Sequence, residues 1–121
     1  MYRIWIGIAG FFGLTAVIMV ALASHAFVGR IDPASLDIVK TGIDIEIWHA
    51  LALLTLGVSS DRLGRWRLRA GAMFTLGTLL FCAAVYVRGL TGHSLDGVAP
   101  AGGICLMLGW LSLLVGAMRG F

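Results

Sequence analysis

Glu46 and His49 stand three residues apart in the stretch TGIDIEIWHALALL, residues 41–54. At 100° per residue they lie about 60° apart on one helix face. An acid and an imidazole so placed could ligate a metal, and a second imidazole, His25, could complete a mononuclear site or a bis-histidine haem site. Glu-x-x-His is also the element that di-iron four-helix bundles use twice, together with two further glutamates. This chain has a single glutamate, so a dinuclear carboxylate site within one chain is excluded. Asp44 falls on another face with Asp37, Lys40 and Trp48. There it reads as one half of a Lys40–Asp44 i, i+4 ion pair at headgroup level.

What such groups can do depends on the medium. Of the 121 residues, 60% are hydrophobic and 12% charged, with mean hydropathy +0.97. Soluble domains carry about 25% charged residues. Half of that is too little charge to cover a water-facing surface, and the chain reads as an integral membrane protein. A net charge of +3 raises the question of nucleic acid. The arginines form no aromatic-interleaved stripe and sit at the ends of apolar runs, as headgroup anchors do, which excludes nucleic acid as a partner. Cys82 and Cys105 lie inside apolar runs without a CxxC spacing and read as small apolar fillers rather than a disulfide or zinc site.

Four apolar segments follow, at about residues 4–27, 33–60, 70–88 and 98–118. The first exceeds the ~20 residues needed to cross a bilayer. Its ALASHA ending resembles a signal-peptide cleavage site, but the apolar run is longer than a leader's ~7–15 residues and reads as a retained helix. Short connections make sequence neighbours antiparallel neighbours in space. The expectation is an all-α integral membrane protein, a single four-helix transmembrane bundle over residues 1–121. In RIDPASL, Asp32 reads as the N-cap and Pro33 as the first residue of the second helix. That helix would run roughly 40 Å, longer than the ~30 Å hydrocarbon core, so its first turns are expected to project outward.

Lipid supplies no hydrophobic force between helices, so small residues at helical spacing have to provide close packing. Gly102, Gly109 and Gly116 recur every seven residues. Gly7 and Gly10 share a face with Ala21 and His25, and Gly71, Thr75, Thr78, Cys82 and Tyr86 form a third stripe. These stripes read as bundle interior, or as a seam for a homo-oligomer or partner. Nearly all titratable groups in the membrane zone fall in its outer half by this reading. His25 and His49 are expected at similar depth, with Glu46 leading toward water. A hydrogen-bonded network tying the first two helices is the default reading. Metal or haem ligation and a lipid- or quinone-headgroup pocket are the alternatives.

Four stretches, ALASHAF followed by ID, TGIDIEIWHALALLTLG, LGTLLFCAAVYVRGLTG and GVAPAGGICLMLGW, resemble in order and spacing the YgdD-like inner-membrane proteins. The resemblance covers the chain from about Ala21 onward. It implies four transmembrane helices, a bacterial inner-membrane location and no established activity. It also implies a small-residue–His element at Ser24–His25 and a shared histidine at His49. By the same resemblance the residue three before that histidine is often a neutral amide, where this chain has Glu46.

The functional expectation is a non-catalytic accessory or scaffold protein packing against a larger membrane assembly, a second copy or lipids, with no cofactor. The alternative is a haem-, metal- or quinone-binding protein using His25 and His49. A transporter is disfavoured, because four helices leave little room for a gated path. His49 is expected to face the first helix within hydrogen-bonding reach of Ser24 or His25.

Orientation yields the first prediction. Arg3, Arg62, Arg65, Arg67, Arg69 and Arg119 would lie on one side, against Arg30, Lys40 and Arg88 on the other. This asymmetry puts both termini and the central loop in the cytoplasm. Cysteines introduced at Ser59 and Ser94 should show opposite labelling in intact cells, and external labelling at Ser59 would refute the topology.

Overall fold

The structure, a computed structural model, describes residues 2–120. Helix α1 spans Arg3–Ala21 and continues through a π-helical turn, Leu22–Ala26. Helix α2 spans Pro33–Val58, α3 Arg65–Thr91 and α4 Val98–Met118, with a short 3₁₀ turn at Asp61–Leu63. All four helices are long and apolar enough to cross a membrane. They pack in chain order, α1 on α2, α2 on α3 and α3 on α4.

Asp32 caps α2 by accepting from the Ser35 amide at 3.2 Å and the Ser35 hydroxyl at 2.7 Å, with Pro33 as the first helical residue. The bond from the Ser35 hydroxyl is the main cause holding the Asp32 carboxyl below its usual range. The cap is therefore in place above the ordinary carboxylate range and is lost as pH falls through the lowered value. Helix α3 begins at Arg65, more than a turn before the apolar run at residue 70. Hydropathy marks where lipid begins, while arginine is a good helix former and carries the helix into the polar zone. Gly92, at φ 78°, closes α3 in the left-handed conformation, its amide bonded to the Arg88 carbonyl at 2.9 Å.

Glycine and alanine set the spacing. A Cβ at Gly102 would stand 2.5 Å from the Phe81 amide nitrogen and 2.9 Å from the Gly77 carbonyl oxygen, so α3 and α4 meet nearly backbone to backbone. Gly109 seats the Phe74 ring, and Gly116 is also buried. The α4 stripe is thus interior to the bundle. On α1 the inward face is instead Trp5, Ala9, Phe12 and Ala16, and the Trp5 indole lies on Gly71 of α3. Gly7 and Gly10 are exposed, with nothing within 4 Å of a would-be Cβ. Spacings of four, three and four residues from Trp5 already occupy the face toward α2, which turns Gly7 and Gly10 outward.

The arginine loop holds more than topology signals. Arg67 is 2% exposed, and its guanidinium caps the C-terminal end of α2. Nε donates to the Leu56 carbonyl at 3.0 Å, and Nη2 donates to the Ser59 carbonyl at 2.9 Å and to the Ser60 carbonyl. Tyr2 covers its face, with the guanidinium carbon 3.6 Å from the ring centroid, and the Tyr2 hydroxyl donates to Asp61 at 2.9 Å. Those carbonyls are the unsatisfied end of a helix, where a cation also meets the negative pole of the dipole. Arg67→Ala should therefore lower stability by about 2–4 kcal/mol, whereas Arg65→Ala, on an exposed side chain, should stay within about 0.5 kcal/mol. Thermal unfolding in detergent checks this, and equal losses for the two variants would contradict the cap.

Candidate functional site: a polar layer between the helices

Two apolar clusters divide the interior. One contains Trp5, Phe12, Leu53, Phe74 and Leu106, and the other Ala23, Val39 and Ile43 toward the opposite end. Between them lies a layer of polar side chains. Glu46 is 4% exposed and accepts two hydroxyl bonds, from Thr15 of α1 at 2.6 Å and from Tyr86 of α3 at 2.7 Å. The Thr15 oxygen also lies 3.1 Å from the Phe11 carbonyl, one helical turn back. One turn nearer the end where α2 begins, the Cys82 thiol donates to the Gly42 carbonyl at 3.3 Å. Thr78, wholly buried, has no hydrogen-bond partner for its hydroxyl among the described residues.

His49 serves a different neighbour. Its Nδ1 lies 2.7 Å from the Ile45 carbonyl, which can only accept, so that nitrogen carries the proton. Nε2 is then bare and accepts from the Trp110 indole N–H of α4 at 3.0 Å. The Phe74 ring packs on both, 5.3 Å from His49 and 4.8 Å from Trp110. An indole half-exposed toward lipid thus has its N–H satisfied inside the bundle, where no water would replace a missing acceptor.

Ser24 and His25 do not join this layer. Both are exposed, on the π-turn that ends α1, and Ser24 lines a small cavity with Lys40 and Asp44. His49 therefore does not face Ser24 or His25. The reason is register. The pairing of Thr15 with Glu46 and of Ala23 with Ile43 shows α1 and α2 running side by side along their length, so no outer turns of α2 project beyond α1. His49 is then level with about residue 12 of α1, and His25 lies about 13 residues of helix away, roughly 20 Å along the axis. Glu46 is near the middle of α2 and pairs with the middle of α1, and Lys40 and Asp44 form no ion pair within 4 Å.

Sequence reasoning missed Thr15, Tyr86, Trp110 and the inward Arg67. Tyr86 stood on the small-residue stripe of the third segment, and antiparallel arithmetic from the short loop would have aimed it at residues near Gly42. Thr15 carried no signal beyond being a hydroxyl in the middle of its apolar run.

Chemically, the layer is a set of mutually satisfied donors and acceptors holding four helices together in an apolar medium. Among the described residues no three metal-binding side chains converge. Fold and layer define a small polytopic α-helical membrane protein with its polar groups turned inward. A family model described as "Protein of unknown function (DUF423)" matches residues 19–103, and the chain belongs to that family. It is 30% identical over 109 residues to the inner membrane protein YgdD of Escherichia coli K12, covering 88% of this chain and 83% of the relative. It is 27% identical over 120 residues to the membrane protein YwdK of Bacillus subtilis, covering 97% and 98%. A Haemophilus influenzae membrane protein is 24% identical over 119 residues, covering 98% and 94%. No solved structure matches the chain. The protein is a multi-pass protein of the bacterial inner membrane.

Substitutions separate the two halves of the layer. Glu46→Gln keeps an acceptor for Tyr86 and a group that can pair with Thr15, and should change stability by less than about 1 kcal/mol. Glu46→Leu strands both hydroxyls and should cost about 1–3 kcal/mol. His49→Leu should cost a similar amount and shift Trp110 fluorescence, loosening α4 rather than α1. Thr78→Val removes an unpaired hydroxyl and should be neutral or stabilising. Unfolding in detergent reads all four, and equal losses for the Gln and Leu variants would refute the double acceptor role.

Proposed function

We propose that this protein is a non-catalytic accessory or scaffold subunit that packs by its outer helix faces against a larger membrane assembly or lipids. One observation carries the reading: both carboxyl oxygens of Glu46 and both ring nitrogens of His49 are taken up by groups of the same chain. Their chemistry is spent on joining helices. The outward side of α1, with Gly7, Gly10 and Gly13 open to a close approach, is the face on which a partner helix would fit. Paired ligation by His25 and His49 lacks support, since the two imidazoles belong to different levels of the bundle.

Extraction of native membranes in mild detergent tests the proposal. The protein should migrate in a complex of fixed stoichiometry, and Gly7→Leu with Gly10→Leu should release it as a folded monomer. A wild-type particle containing one chain and lipid alone would overturn the subunit reading. Visible absorption with a Soret band and stoichiometric iron would replace it with the cofactor reading.

A further inference from the structure

At the end of the bundle away from the termini, a groove of about 520 Å³ opens between α2 and α3 and is closed by the loop leading into α4. Its walls are apolar, with Ile38, Ala84, Val85 and Pro100. Its rim is charged, with Arg88 from the last turn of α3 on one side and Asp96 of the loop on the other. Among the described residues the Arg88 guanidinium has neither a hydrogen-bond acceptor nor a carboxylate within 4 Å, and Asp96 is met only by the Ser94 hydroxyl at 3.2 Å. The first turn of α4 also lines the groove: the Val98 amide is bonded to the Leu95 carbonyl and Pro100 has no N–H, which leaves the Ala99 amide open beside Gly97, an N-cap without a side chain. The groove thus presents a cation and one open amide to an anion, a carboxylate to a second cation, and an apolar floor, all where α3 ends and α4 begins.

We propose that this groove binds one phosphatidylethanolamine molecule, with its phosphate at Arg88 and the Ala99 amide, its ammonium at Asp96, and an acyl chain against Ile38, Ala84 and Val85. The pairing of charges selects the class. Phosphatidylglycerol brings no cation for Asp96, and the trimethylammonium of phosphatidylcholine has no N–H to donate to a carboxylate. A soluble phosphate ester would leave the apolar floor empty. The inference stands apart from the subunit reading, since a lipid can sit here whether or not a partner covers α1.

The test is native mass spectrometry of the purified, delipidated protein given equimolar phosphatidylethanolamine, phosphatidylglycerol and phosphatidylcholine. The wild type should retain phosphatidylethanolamine about fivefold over either of the others, the order expected of one charge-assisted hydrogen bond. Arg88→Gln should lower retention of phosphatidylethanolamine and phosphatidylglycerol together, and Asp96→Asn should remove only the preference between them. Both side chains are exposed, so both variants should keep the wild-type unfolding midpoint. Equal retention of the three lipids by the wild type would overturn the proposal, as would undiminished retention by Arg88→Gln. Displacement by phosphoethanolamine or inorganic phosphate at the same concentration would overturn the lipid assignment and leave a soluble phosphate ligand.

Discussion

A carboxyl group in the middle of a bilayer-spanning bundle has to be surrounded by donors that cannot move away. Glu46 meets that condition through two hydroxyls carried by different helices, Thr15 from α1 and Tyr86 from α3. A slip of one residue in either helix would move its hydroxyl about 1.5 Å along the axis and turn it by about 100°. The bond to Glu46 would be lost, and nothing apolar nearby could replace it. Three of the four helices are therefore held in register by one side chain. The fourth is referred to the same helix by the Trp110–His49 bond, one turn further along α2.

Close packing and this polar layer depend on each other. Hydroxyls reach Glu46 because α1 and α3 approach α2 at small residues: Gly57 receives Ile6, Gly42 lies under Tyr86, and Gly89 meets Val39. Helix α3 divides its faces. One carries Gly71 and Gly89 toward α1 and α2, and another carries Phe74 and Gly77 toward α4. Helices α2 and α3 are the more buried pair, and α1 and α4 keep broad outer faces for lipid or protein.

Length and hydropathy made the membrane class, the four helices and the Asp32–Pro33 start of α2 readable from the sequence. The heptad glycines of α4 also pointed to a packed face, since backbone contact requires them whatever the partner. Depth was the quantity that hydropathy handled poorly. The length of the second helix, beyond the hydrocarbon thickness, suggested that its first turns stand outside the bilayer, which left His49 at the depth of His25. The length of α1, extended by its π-turn, pairs the two helices over their whole span instead. Orientation of single side chains was equally hidden. Arg67 looks like its neighbours Arg65 and Arg69 in sequence, and only the open carbonyl end of α2 distinguishes it. Membership of the DUF423 family agrees with the architecture and adds no chemistry to it.

The three fastenings also differ in when they can close. Tyr2, Asp61 and Arg67, with the α2 carbonyls they cover, are all present once 67 residues have been made. The brace on Glu46 has to wait for Tyr86, and the bond that secures α4 for Trp110. Chains emerge from synthesis N-terminus first and fold as their parts become available. The Arg67 clasp can therefore join α1, the end of α2 and the start of α3 before Tyr86 and Trp110 have emerged. The nascent protein then has one fixed end against which the later helices are aligned, so the order of residues along the chain is also a timetable for assembly.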